Sequence, residues 1–195
     1  MILTAAAVSS PARVRAPSAT AVLAAILTIA GVALLLAGRH LTFFYDEWTW
    51  ILTRRGGAIG TYLDPHNGHF SLVPVAIYKL LFATFGLRHY TPYRIVGVAF
   101  HLASATLLYV LVSRRLGPWL ALVPVTLLLF MGTAFLDVMW PFQIGFLAST
   151  AAGLAALALI DEPRSDALAT VALVVSVASS GIGIAFLGAL TEIGV

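Results

Sequence analysis

Residues 20–38 read TAVLAAILTIAGVALLLAG and contain no ionisable side chain. A helix of that length rises roughly 28 Å, close to the thickness of a bilayer's hydrocarbon core. The run is longer than the roughly 7 to 15 residue core of a cleaved signal, and no A-x-A pattern follows it, so it reads as a retained membrane anchor. Upstream, residues 1–19 carry Pro11, Pro17, Arg13 and Arg15 with no apolar period, the pattern of a short disordered cytoplasmic tail.

The rest of the chain is of the same kind. Of its 195 residues 61% are hydrophobic and 10% charged, against about 25% charged in soluble domains. At roughly 20 residues per span there is room for about five transmembrane helices and one sizeable loop, which excludes a separate soluble catalytic domain. No cysteine is present, so disulfides, thiolate metal sites and cysteine nucleophiles are excluded. The net charge of +3 comes from residues scattered between apolar runs, which is no nucleic-acid footprint.

The predicted fold class is therefore an all-α integral membrane protein. Residues 39–91 form its polar loop, holding four of the five histidines and five of the eleven basic residues. Two interfacial helices are predicted within it. One covers 46–55, with Trp48 and Trp50 at headgroup level. The other covers Leu72 to Phe85, between an N-cap serine and Gly86, too short for a span and carrying Lys79 at its middle. Further spans are predicted at 92–112, 118–136, 143–160 and 167–190. A polar turn at 113–117, a loop at 137–142 and a charged turn at 161–166 connect them.

Basic residues outside the spans divide evenly between the two faces, so the positive-inside rule is silent on orientation. Five spans would still put Asp46 and Asp137 on one face, and Arg114 and Arg164 on the other.

Asp46 and Glu47 are adjacent carboxylates at a helix start. They suit the helix dipole and its free N–H groups, or they supply a general base or a hard-oxygen cation ligand. On a helix adjacent side chains point about 100° apart, so one of the two faces a given substrate. His66 and His69 flank Asn67-Gly68, a turn signal; their rings could meet a phosphate or a carboxylate, while zinc would need a third ligand. Asp137, with Trp140 and Gln143, is either a solvated loop residue or a functional ionisable group at a span's edge. His101 reads as a satisfied packing residue. Ser179, Ser180, Gly181 and Gly183 read as close helix contacts.

The runs YDEW (45–48), PHNGHFSLVP (65–74) and WPFQ (140–143), within this order of spans and loops, resemble the N-terminal part of the C-type (GT-C) membrane glycosyltransferases, and more narrowly actinobacterial polytopic membrane proteins related to them. The resemblance covers roughly residues 21–190. It implies that Asp46 is the catalytic base, with Glu47 its neighbour and Asp137 a supporting or metal-contacting group. The implied donor is a sugar on a polyprenyl phosphate, used on the extracytoplasmic side of the plasma membrane. Arg54, Arg55, Lys79 and Arg88 would offset the donor phosphate or contact anionic headgroups, and His66, Asn67, His69, Trp140 and Gln143 would contact substrate. A divalent cation, Mg or Mn, is the cofactor this resemblance leaves open. Members of the superfamily have more spans, so the expectation is a partial transferase that lacks turnover alone and self-associates or pairs with a missing C-terminal half. The alternative is a noncatalytic lipid-binding or assembly subunit.

Overall fold

In a computed structural model, the structure describes residues 17–66, 68–160, 162 and 165–192. All but the last three residues of the expected N-terminal tail, together with Asn67, Asp161 and Arg164, lie outside that set. Among the described residues the chain is helical and has no strand, and four helical stretches are long and apolar enough to cross a membrane. The protein is an all-α membrane protein.

Helix α1 (Ala19–Ala37) begins where the Ser18 hydroxyl accepts the Ala21 amide at 3.2 Å. Its other end is closed by a residue from another span. The Arg94 guanidinium donates to the Leu34 carbonyl at 2.7 Å and the Leu35 carbonyl at 3.1 Å. Leu35 belongs to the carbonyls that a helix C-terminus leaves without internal donors, Leu34 also accepts the Gly38 amide at 3.2 Å, and a cation there complements the dipole. Gly38 follows at once, and a Cβ on it would run into that guanidinium.

Helix α5 (Thr91–Leu116) is longer than the predicted span. It runs through the expected polar turn to Gly117, whose φ of +85° ends it. Arg114 therefore sits in the last helical turn, donating to the Ala158 carbonyl at 2.8 Å and pairing with Glu162 at 2.8 Å.

The third predicted span is interrupted. Helix α6 (Leu122–Leu129) stops at Phe130, a 3₁₀ turn covers Gly132–Ala134, and α7 (Phe135–Met139) completes the crossing. Asp137 thus lies in the first turn of a short helix, not in a loop. After a second 3₁₀ turn at Pro141–Gln143, α8 (Ile144–Ile160) crosses parallel to α5, with Gly97 beside Leu147 near one end and Arg114 beside Ala158 near the other.

The apolar run at 167–190, predicted as one span, is divided at Ser180–Gly181 into α9 (Asp166–Ser179) and α10 (Ile182–Glu192). Leu187, Leu190 and Thr191 share a cavity with Asp166, Ala169 and Thr170, so α10 turns back along α9. The physical reason lies in small residues. Ser180 is extended, and Gly183 passes so close to the backbone of Ser176 and Val177 that a Cβ would collide with it. With 14 residues α9 rises roughly 21 Å, less than the hydrocarbon thickness. Ser149 and Ser176 clamp α8 to α9 by donating to each other's carbonyls at 2.8 and 2.7 Å, the satisfaction that buried hydroxyls need in lipid.

Between α1 and α5 lie α2 (Asp46–Thr53), the single turn α3 (Gly60–Leu63) and α4 (Leu72–Phe85). Pro74 meets Gly145 at the start of α8, and the Tyr93 hydroxyl donates to the Gly86 carbonyl at 2.9 Å beside the start of α5. Both ends of α4 therefore sit at the same end of the bundle. The Ser71 hydroxyl does not cap α4; it donates to the His69 carbonyl at 3.4 Å.

Candidate functional site

The two adjacent carboxylates have separate fates. Glu47 is fully buried. Its Oε1 accepts the Tyr78 hydroxyl at 2.5 Å, and its Oε2 accepts the Tyr90 hydroxyl at 2.9 Å and the Phe44 amide at 2.8 Å. Burial pushes its carboxyl above the usual range, and these donors pull it back only in part. The Trp140 indole beside the same carboxylate pulls in the same direction without hydrogen-bonding to it. Burial, together with the neighbouring carboxylate, pushes both tyrosine hydroxyls well up. Glu47 thereby ties α2 to α4 and to the start of α5, and it does not face a cavity.

Asp46 does. The residue before it, Tyr45, has φ of +49°, a conformation that costs an L-residue about 1–3 kcal/mol. The Glu47 bonds on either side of this turn hold it in place. Asp46 Oδ2 lies 3.8 Å from His66 Nε2, with side-chain exposures of 24% and 13%. Burial lowers the His66 imidazole's affinity for protons, and the Asp46 charge opposes that. His66 and His69 exchange backbone hydrogen bonds at 3.0 and 2.9 Å across a turn in which Gly68 has φ of +77°. His66 is thus turned to Asp46, while His69 is exposed on the side of Gly181.

Asp46, His66 and His69 open on a cavity of about 210 Å³, whose other walls include Trp50, Trp140, Phe142 and Gln143. The aromatic wall is continuous. Trp50 lies 4.7 Å from Phe142, and Phe142 stacks on Trp140 at 5.0 Å. Three buried nitrogens of this wall, Trp50 Nε1, His66 Nε2 and Trp140 Nε1, have no hydrogen-bond partner.

A second cavity of about 490 Å³ lies across Trp50, which lines both. It carries Arg54, Arg55 and Lys79. Arg54 stands 5.6 Å from the centre of the Trp50 ring and donates to the carbonyls of Thr61 at 3.2 Å and Asp64 at 2.8 Å. Lys79 lies 3.9 Å from the Tyr62 ring centre, donates to the Gly56 carbonyl at 2.7 Å, and also bonds the Thr61 hydroxyl. Desolvation lowers both cations' pKa values; for Lys79 the neighbouring Arg54 charge adds to it.

Asp137 is half-buried and lines neither cavity; Arg88 is exposed and also lines neither, although Gly86 and Leu87 just before it line the second. Among the described residues no group of three His, Cys, Asp or Glu could hold a metal ion. Among the described residues Asp46 and His66 have no third such side chain beside them, and Glu47 is spent on two tyrosines.

Several lining residues carried no clear signal in the sequence. Trp50 read as an interfacial anchor, and Ser179 and Ser180 read as helix contacts, yet the tip of the α9–α10 hairpin brings both serines to the Asp46 cavity. Arg94 was hidden in an apolar run. Comparison with protein-family models, with curated proteins and with solved structures finds no match to this chain.

Proposed function

We propose that this chain is the base-bearing part of a C-type membrane glycosyltransferase, moving a sugar from a polyprenyl phosphate at the extracytoplasmic face of the cell membrane. The observation that supports it is the Asp46 cavity: a carboxylate beside an imidazole, aromatic walls, and the polar side chains of Gln143 and Ser180 in the lining. A sugar offers both the apolar C–H faces and the hydroxyl acceptors that such walls satisfy. The basic cavity across Trp50 suits the donor phosphate through Arg54, Arg55 and Lys79.

In this reading an acceptor hydroxyl attacks the anomeric carbon. Its oxygen forms the new glycosidic bond, its proton passes to the Asp46 carboxylate, and the bond to the polyprenyl phosphate breaks with the electron pair leaving on phosphate. A positioned base contributes about 10²- to 10⁴-fold in such a step. His66, which burial pushes toward its neutral form, sits 3.8 Å from Asp46 without permanently neutralising it.

A noncatalytic lipid-binding subunit is the second reading, favoured by one observation: Asp137 does not reach the Asp46 cavity. Binding separates the two. With the protein in nanodiscs, the tryptophan fluorescence is titrated with decaprenyl phosphate and with decaprenyl-phosphate sugars. The transferase reading expects a sugar-bearing donor to bind more tightly, with the difference abolished by Trp50→Phe. Equal affinity for the bare lipid and every sugar-bearing form supports the noncatalytic subunit.

A further inference from the structure

The interruption between α6 and α7 borders a cavity of about 200 Å³ that shares no lining residue with the Asp46 cavity. Three alanines of α1, Ala30, Ala33 and Ala37, leave the room for it, and the unwound Phe130 to Gly132 segment lines its other side. Among the described residues no charged side chain lines it. Phe130, Met131 and Phe135 are exposed as well as lining it, so it reaches the lipid-facing surface.

One polar side chain borders this apolar space. His101 of α5 is only 4% exposed, and its Nε2 is buried without a hydrogen-bond partner. The ring meets the Leu129 backbone, at the C-terminal end of α6. Because the helix stops there, no backbone N–H reaches the carbonyls of Leu127, Leu128 or Phe130 among the described residues. Irregular backbone at membrane depth is tolerated where it lines a cavity, and a histidine held in a span is expensive unless it has a partner. His101 was expected to be a satisfied packing residue; its Nε2 is not satisfied.

The geometry points to a binding site for an uncharged, largely apolar molecule carrying one hydroxyl group, with that hydroxyl at the His101 ring and its hydrocarbon body against the alanines of α1. The absence of charge in the lining excludes an ionised headgroup. A hydroxyl both donates and accepts, so it can pair with the imidazole in either neutral tautomer. An engineered apolar cavity of about 150 Å³ accepts benzene, so this space suits an occupant somewhat larger, such as a medium-chain or terpenoid alcohol. The inference is independent of the glycosyltransferase reading, because it uses none of the residues around Asp46.

The test is photolabelling of the full chain in nanodiscs with a diazirine-bearing octanol, with the labelled residues read by mass spectrometry. The site predicts saturable labelling within 128–139, displaced by 1-octanol and not by octane. His101→Phe removes the imidazole, and Ala33→Phe fills the cavity from α1 while leaving the imidazole in place. Each should weaken labelling about tenfold, the loss of one buried hydrogen bond or of the space itself. Displacement by octane as effective as by octanol, non-saturable labelling, or wild-type labelling of the Ala33→Phe protein would overturn the proposal. The Ala33→Phe result stands even if the His101 variant fails to fold.

Discussion

Asp46 Oδ2 faces His66 Nε2 at 3.8 Å, while the adjacent Glu47 turns inward to accept the hydroxyls of Tyr78 and Tyr90. One acidic pair thus divides into an outward group available for chemistry and an inward group that fixes the loop presenting it.

The inward role has a stability signature. Glu47→Ala leaves two tyrosine hydroxyls and the Phe44 amide without their acceptor in a buried place, and should cost roughly 2–5 kcal/mol. Glu47→Gln keeps the shape and one acceptor oxygen and should cost less. Thermal unfolding in detergent, followed by circular dichroism, gives the order Ala below Gln below wild type; equal melting of Ala and wild type would remove Glu47 from this role.

His66 predicts a pH dependence. Its folded pKa is lowered, chiefly by burial, so as pH falls below its ordinary value near ~6.5 the unfolded chain takes up the proton first. Its contribution to stability is present at neutral pH and is lost as pH falls toward the folded value. Glu47, raised by burial, contributes in the opposite sense, so the comparison must be made against a variant. The difference in melting temperature between wild type and His66→Gln should shift against the wild type between pH 7.5 and pH 5. A constant difference would contradict the burial of His66.

The absence of cysteine makes the hairpin testable. Single cysteines at Thr61 and Arg88 should label from one side of the membrane, and those at Leu116, Ser165 and Thr191 from the other. Thr191 is decisive, because one continuous span over 167–190 would carry it to the side of Thr61.

Arg94 gives a third stability test. Removing its fork from the Leu34 and Leu35 carbonyls should cost about 1–3 kcal/mol in Arg94→Ala. Lys should restore little, since one ammonium does not reproduce the planar donor pair. Full stability of the Lys variant would argue that charge at the helix end suffices.

These elements show which features the sequence made legible. α1 and α8 carry no charge over their length, and composition alone marks such runs. The α4 boundaries were visible because Lys79 and Gly86 limit its apolar length. The breaks were not visible, because neither has a proline at the break itself. The α6 interruption falls at Met131-Gly132-Thr133, and the hairpin tip at Ser180-Gly181, both apolar or small stretches that a hydropathy reading carries straight through. Only the run of small residues from Ser179 to Gly183 hinted at a close turn. At the site, Asp46 and His66 were each legible as candidates, but their pairing depends on α2 and the 66–69 turn meeting in space. Glu47's burial depends on two tyrosines far along the chain, which no local pattern announces.

The central claim is that Asp46 is the base of a sugar transfer, and transfer itself tests it most directly. Membranes containing the full chain, within its complete assembly if it has partners, are supplied with radiolabelled decaprenyl-phosphate sugars, and label reaching non-lipid acceptors is counted. Asp46→Asn keeps the side-chain shape and removes its basicity, so transfer should fall by about 10²-fold or more while expression and melting temperature stay near wild type. Asp137→Asn, outside the cavity, should lose far less. Transfer by Asp46→Asn at the wild-type rate, or none by the wild type with any of these donors, would contradict the account.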